Sequence, residues 1–396
     1  MQIGLGTVYS WSVYRRPLSE QYGWSIPEVT LTFSILTVTA GIMAFLGGLW
    51  MRRVGPRRVA LVAGILYGAG VALSALSSGH LPVLYLTYGL IGGMGLGLGY
   101  IVPIATLVKW FPDRRGFITG LAVMGVAAGS LVASPIAAKL IEVIGVLDTF
   151  AVLGSVYLVV IVGSAAFLRD PPTGYRSAGW IPEDQHRSTT AASFELRDAL
   201  GTWQWYALWV IFFLNVTAGV GFVSEGSPMA QDLVSVSAVA AGGLFGAAFI
   251  GDAVGRFAWP WLSDAVGRRA VLTTIFLFQA LLFVSLSATD SPGLFAILGA
   301  LILFSYGGSS GTMAVTTADL FGSRNVGSIY GLMLTAWGLG GVLGPLTIST
   351  LRESTGSYEI ALRVIAALML ASALLPLRLS RPNPPSGHCE ALRTKS

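Results

Sequence analysis

The sequence predicts an all-α integral membrane protein with about twelve transmembrane helices. Of its 396 residues, 54% are hydrophobic and the mean hydropathy is +0.72. Only 11% are charged, against roughly 25% in soluble domains. Apolar runs near the 20 or so residues that a span requires recur along the whole chain. The 50 glycines favour the close helix packing of membrane proteins.

Polar loops divide the chain into two sets of six apolar runs. The first set is predicted as helices 1 (1–16), 2 (28–51), 3 (58–78), 4 (82–109), 5 (116–141) and 6 (147–168). The second set is predicted as helices 7 (203–224), 8 (234–262), 9 (270–288), 10 (292–317), 11 (326–351) and 12 (357–377). Because the predicted helix 1 is short for a span, we expect its start to be missing from the sequence.

The same division defines the domains and their orientation. We predict bundles over 1–168 and 203–377, a cytoplasmic central loop over 169–202 and a cytoplasmic tail over 378–396. With both termini cytoplasmic, 18 of the 24 Lys and Arg residues fall inside and 5 outside. Cytoplasmic loops carry such an excess of positive charge. We therefore expect a multi-pass protein of the cell (inner) membrane.

Short motifs recur at a spacing of half the chain. The residues GPRR at 55–58 match GRR at 267–269, an offset of 212, and Gly120-Leu121 matches Gly331-Leu332, an offset of 211. Both offsets place six helices in each half. Two similar halves are typical of proteins with a central cavity that opens to alternate sides.

The composition argues against several classes of function. The basic residues are scattered between apolar runs, which argues against nucleic-acid binding. The only cysteine is Cys389, and His80, His186 and His388 lie far apart in sequence. These residues predict no metal site and no cofactor. Without clustered His, Glu or Asp, we do not expect an enzyme.

Helix 8 carries two charges inside an apolar run, Asp252 and Arg256. Residues four apart share a helical face, and Arg256 lies about 12 Å inside the cytoplasmic end at 1.5 Å per residue. Charges at that depth are costly, so they usually face a functional cavity. The alternative is a neutralised structural pair. Tyr9, Tyr100, Tyr306 and Trp337 are candidates to line the same cavity or ordinary packing residues.

The loop SDAVGRR at 263–269 resembles the helix 8–9 signature of the major facilitator superfamily. The resemblance implies two pseudo-symmetric six-helix bundles and a conformational motif of Asp264, Arg268 and Arg269. The first-half copy, WMRRVGPRR at 50–58, has Arg52 where the family has aspartate. The resemblance therefore does not imply this conformational motif in the first half.

Longer stretches resemble the oxalate/formate antiporter family and the related monocarboxylate transporters. They are GTVYSWSV at 6–13, YIVPIATLVKWFPDRRG at 100–116 and SPMAQ, after helix 7, at 227–231. In these families an arginine of helix 8 binds the anion, and Arg256 matches it. An aromatic residue of the oxalate carriers matches Tyr306. Their helix 11 lysine is replaced by Trp337 in TAWG at 335–338, so one carboxylate suits this chain better than two.

The residues and the resemblance together predict a secondary transporter of small organic anions, above all lactate- or formate-like monocarboxylates. Arg256 would bind the carboxylate, and Asp252 would carry a proton, as the Asp-x-x-x-Arg pattern of proton-coupled carriers implies. Proton symport and anion exchange both remain open. We expect a monomer in the lipid bilayer. The alternatives are an efflux carrier for hydrophobic drugs or metabolites, and a non-transporting membrane sensor.

Overall fold

The computed structural model describes residues 1–172, 175 and 194–383, and these residues form an all-helical fold of two six-helix bundles. Ten of the helices in this part of the chain are long and apolar enough to cross a membrane. Most of the predicted central loop and tail lies outside the described residues, as do His186, His388 and Cys389.

The observed helices follow the predicted order. The first bundle contains helices 1 (Gln2–Gly6, Thr7–Ser10 and Trp11–Tyr22), 2 (Ile26–Val54), 3 (Pro56–Leu73 and Ser74–Leu76), 4 (Leu81–Leu84, Tyr85–Gly92 and Gly93–Trp110), 5 (Arg115–Ile144) and 6 (Val146–Ala165). The second contains helices 7 (Trp203–Val234), 8 (Ala238–Val266), 9 (Arg268–Ser287), 10 (Pro292–Phe321), 11 (Val326–Met333 and Thr335–Thr355) and 12 (Tyr358–Ser372 and Leu374–Arg378).

Two predicted helix ends differ from the structure by more than four residues, both near a proline. Helix 1 continues past Pro17 to Tyr22 instead of ending at Arg16. Helix 7 continues past Pro228 to Val234, so the SPMAQ stretch at 227–231 lies inside it. Proline removes one backbone donor, but membrane helices tolerate this where neighbouring groups satisfy the freed carbonyl.

Single glycines make the tightest connections. Gly55 joins helices 2 and 3 with φ of 81°, and Gly267 joins helices 8 and 9 with φ of 95°. Positive φ costs glycine little because it has no Cβ. The equivalent turn therefore recurs in both halves, at the motif that the sequence repeats.

Equivalent helices also pack in equivalent pairs. Helix 2 packs on helix 4 as helix 8 packs on helix 10, and helix 3 packs on helix 6 as helix 9 packs on helix 12. Between the bundles, helix 5 packs on helix 8 and helix 2 packs on helix 11. We call the end of the molecule at Gly55 and Gly267 the basic end, after the arginines beside these glycines, and the opposite end the far end. The candidate site lies between the bundles.

Candidate functional site

A buried ion pair occupies the middle of helix 8. Arg256 Nε donates to Asp252 Oδ2 at 2.9 Å, and each residue is only 2% exposed. Oδ1 of Asp252 and Nη2 of Arg256 are buried and have no hydrogen-bond partner among the described residues. Burying such groups without partners is costly. The pair therefore retains one unused donor and one unused acceptor for a ligand or a proton.

Helix 10 closes one side of this pair because it presents glycine there. A Cβ added to Gly307 would lie 2.4 Å from Asp252 Oδ1 and 2.9 Å from Arg256 Cγ. Any side chain at this position would displace the ion pair. Glycine thus lets helix 10 lie against helix 8 and leaves room for the Asp252 carboxylate between the two helices.

Aromatic side chains surround the guanidinium group. The Arg256 Cζ lies 5.7 Å from the ring centre of Tyr9 and 5.9 Å from that of Tyr306, within the range of cation–π contacts. Trp337 Nε1 donates to the Tyr306 hydroxyl at 3.3 Å. Tyr9 comes from the first bundle and the other residues from the second, so the site joins the two bundles.

Two small cavities adjoin the ion pair. The larger, of about 40 Å³, is lined by Arg256, Tyr9, Tyr100 and Trp337 together with apolar side chains. The smaller, of about 20 Å³, is lined by Asp252 and Tyr306 and shares Tyr9 and Trp337 with the first. The structure thus brings together all six residues predicted for substrate and proton. Since one water-sized group needs about 10–15 Å³, the larger cavity holds a group of only a few heavy atoms.

The backbone of helix 1 breaks where it meets the larger cavity. Residues Thr7–Ser10 form a 3-10 turn within the helix, and this turn carries Tyr9. The Thr7 hydroxyl bonds to the Gly4 carbonyl at 2.8 Å and to the Tyr67 hydroxyl at 2.9 Å. Tight turns within a helix often mark functional positions. This break was not predicted, because the turn contains no proline or glycine.

Further cavity residues were also missed. Phe212, Ser310 and Leu334 line the larger cavity beside the predicted residues. Tyr330, fully buried, donates to the Ser310 carbonyl at 3.2 Å just beyond this wall. Ser310 lies in an unbroken small-residue run, GGSSG at 307–311. A run of small residues such as this one indicates a helix face where a neighbouring helix approaches closely and backbone groups can accept hydrogen bonds.

A second polar cluster, the latch, lies at the basic end. Asp264 accepts from the backbone N–H groups of Gly116 at 3.2 Å and Phe117 at 3.1 Å, at the start of helix 5. A carboxylate there is stabilised by the unpaired N–H groups and the helix dipole. Arg268 pairs with Asp264 at 2.6 Å.

Asp319 of helix 10 completes the latch. It accepts from Arg115 at 3.0 Å and from Arg268 at 2.8 Å, so it links helices 5, 9 and 10. Asp319 was not predicted as part of this motif, although an acidic residue at a helix end that faces basic loops was a signal. Arg269, predicted as part of the motif, is exposed and makes no ion pair within the described residues. In the first half, Arg52 is exposed and likewise unpaired there.

Comparisons with known proteins agree with this architecture. The sequence profile described as Major Facilitator Superfamily matches residues 3–345 and 226–395. The Oxalate:formate antiporter of Oxalobacter formigenes is 28% identical over 95% of this chain and 89% of its own. Monocarboxylate transporter 13 of Rattus norvegicus is 28% identical over 83% of this chain and 74% of its own. An uncharacterized MFS-type transporter of Escherichia coli is 29% identical over 86% and 83%.

Solved structures show the same fold. The proton:xylose symporter XylE superposes with a TM-score of 0.73 over 99% of this chain and 97% of its own, at 14% identity. At that identity the likeness concerns the fold alone. With the profile matching most of its length, and with paired six-helix bundles around a central charged site, the chain belongs to the Major Facilitator Superfamily of membrane transporters.

Proposed function

We propose that this transporter carries small monocarboxylate anions, lactate- or formate-like, by alternating access with proton symport or anion exchange. The observation that carries the proposal is the buried Arg256, which faces a small cavity between the bundles and has an unused Nη2 donor. An arginine stays charged when buried, and its planar fork matches a carboxylate.

The charge balance of the site supports a single carboxylate. Asp252 already neutralises Arg256, so an anion that enters adds one uncompensated negative charge at low dielectric, which is costly. Protonation of Asp252 removes that cost and releases the Nε donor of Arg256 for the substrate. One carboxylate and one proton then move together. In an exchanger, a second anion replaces the first, and Asp252 keeps its charge state.

The cavity and the relatives support the same substrate class. A cavity of about 40 Å³ with mostly apolar walls suits a small anion with one charged end. The similar proteins include one named for oxalate and formate and one named for monocarboxylates. Helix 11 supplies Trp337 rather than a second cation, which favours one negative charge on the substrate.

The proposed orientation places the basic end in the cytoplasm. The two bundles then comprise 1–168 and 203–377, joined by a cytoplasmic loop over 169–202 and followed by the tail from 378. In this orientation the latch of Asp264, Arg268 and Asp319 closes the cytoplasmic side of the cavity. The protein functions as a monomer in the inner membrane.

Uptake into proteoliposomes tests the function directly. We expect saturable uptake of radiolabelled formate or lactate, driven by an inward proton gradient or by an internal carboxylate, and much weaker uptake of oxalate. A hydrophobic cationic dye is used to test the alternative function, drug efflux. Movement of the dye without carboxylate uptake, or no movement of either, would refute the proposal.

A further inference from the structure

The two cavities beside the ion pair expose different charges. Arg256 lines the larger cavity and not the smaller, whereas Asp252 and Tyr306 line the smaller and not the larger. Asp252 lies one helical turn nearer the far end than Arg256. Tyr9 and Trp337 line both cavities. These two side chains therefore form a partition between a chamber with a cation and a chamber with a carboxylate.

The backbone around Trp337 holds its indole in this partition. Helix 11 is interrupted at Leu334, whose carbonyl accepts from the Trp337 backbone N–H at 3.0 Å. Trp209 of helix 7 donates to the Thr335 hydroxyl at 2.9 Å and fixes the start of the next segment. The indole itself is fixed by its donation to Tyr306.

Glycines bring the opposite bundle against the same segment. A Cβ on Gly41 of helix 2 would lie 3.0 Å from the Leu334 carbonyl oxygen, and one on Gly338 would lie 3.1 Å from the Thr37 carbonyl oxygen. Helix 2 therefore meets helix 11 backbone to backbone at Trp337. This contact fixes the position of the backbone that carries the indole.

We propose that Trp337 determines substrate size by closing the Arg256 chamber against the Asp252 chamber. The inference rests on the proposed function and narrows its substrate class to the shortest monocarboxylates, of formate or acetate size. A longer acyl chain on a carboxylate bound at Arg256 collides with the indole. Removing the indole joins the two chambers and gives that chain room beside Phe33, Val220 and Val223 of the smaller cavity.

Two kinds of substitution separate volume from hydrogen bonding. Trp337→Leu removes most of the indole and opens the partition, and Trp337→Met is a second opening variant with a flexible side chain. Trp337→Phe keeps one aromatic ring in the partition, removes less volume than Leu or Met, and loses the donation to Tyr306. Trp261→Leu, on a helix 8 residue that is 56% exposed, is the matched control for loss of a tryptophan.

The experiment measures how formate, acetate, propionate and butyrate inhibit uptake of radiolabelled formate into proteoliposomes. We expect the purified parent, Trp337→Phe and Trp261→Leu to be inhibited less strongly as chain length grows. In Trp337→Leu and Trp337→Met, inhibition by butyrate should strengthen about tenfold or more relative to inhibition by formate. Accommodating one or more methylene groups in an apolar pocket has an effect of this size.

The outcomes distinguish this inference from the function on which it rests. If the parent transports formate but the opening variants keep its chain-length profile, the partition is wrong and the carboxylate function stands. A parent that takes butyrate as readily as formate overturns the partition as well. If the parent transports neither formate nor lactate, the proposed function fails, and this inference fails with it.

Discussion

Arg115 of helix 5 and Asp319 of helix 10 form an ion pair of 3.0 Å that crosses between the two bundles at the basic end. The Arg115 side chain is 16% exposed and that of Asp319 is 31% exposed. Asp319 also binds Arg268. One carboxylate therefore holds a cation of each bundle, and under the proposed alternating access we expect it to stabilise the state that is closed at this end.

Asp319→Asn should weaken that closed state. Partly exposed ion pairs contribute about 1 kcal/mol, which corresponds to about fivefold in the ratio of the two states. The measurement is the labelling rate of a cysteine at Ala105, which is buried near Gly327 at the bundle interface, in a Cys389→Ser background. We expect the cysteine at position 105 to be labelled faster from the basic end in Asp319→Asn than in the same background with Asp319 intact.

Asp170→Asn is the control for this prediction. Asp170 lies just after the first bundle and pairs with Lys109 of helix 4 at 2.8 Å, so this pair does not join the two bundles. Loss of that pair should leave the labelling rate unchanged. Equal rates in the parent and in Asp319→Asn would mean that the pair does not hold the closed state.

Asp264 should act mainly through the oxygen atoms that accept from helix 5. Asp264→Asn retains an acceptor for the N–H groups of Gly116 or Phe117 but loses the charge that favours a helix start and binds Arg268. Asp264→Ala loses both the acceptor and the charge. We expect transport rates in the order parent, Asn, Ala, with comparable amounts of protein in the membrane. The reverse order for Asn and Ala would contradict this account of the latch.

The fold was predictable because the hydrophobic effect, which dominates here, depends on the apolar character of each residue. Apolar runs of spanning length, the charge bias of the loops and the repeated Gly55 and Gly267 motifs each report on topology without any knowledge of contacts. The ends of helices 1 and 7 were not predictable in this way. Pro17 and Pro228 predict an end in isolation, and only the neighbouring helices determine that the helix continues.

The site was predictable to the extent that burial of charge signals function. Asp252 and Arg256 stand out in an apolar helix, and the resemblance pointed to Tyr306 among the aromatic residues that meet them. Phe212 and Leu334 were missed because apolar cavity walls look like any membrane helix. Asp319 was missed because its partners, Arg115 and Arg268, are distant in sequence.

Asp252→Asn should separate proton coupling from anion exchange. If Asp252 carries the proton, asparagine mimics its protonated form permanently, so an acidic exterior should no longer drive accumulation. Exchange of labelled for unlabelled carboxylate should continue, because Arg256 stays available. The measurement compares gradient-driven uptake with exchange in the same proteoliposomes. Unchanged acid-driven accumulation would exclude Asp252 as the proton carrier.

The orientation predicts where proteases reach the chain. The segment 169–202 contains four arginines and joins the bundles, and we expect it to be cytoplasmic. Trypsin should therefore cleave it in inside-out membrane vesicles and not in right-side-out vesicles. Cleavage of this segment only in right-side-out vesicles would reverse the proposed topology.

Arg256 is the centre of the proposed mechanism, and its substitution tests the account most directly. The measurement is exchange of radiolabelled formate or lactate in proteoliposomes with parent, Arg256→Lys and Arg256→Gln proteins. Arg352→Gln, at an exposed pair with Asp232, is the matched control. Because an unpaired Asp252 could cost a few kcal/mol of stability, each protein is first checked for insertion and a single monomeric peak. We predict parental exchange for Arg352→Gln, reduced exchange for Arg256→Lys and almost none for Arg256→Gln. Parental exchange by a well-folded Arg256→Gln protein would contradict the account and leave Arg256 as a structural partner of Asp252 alone.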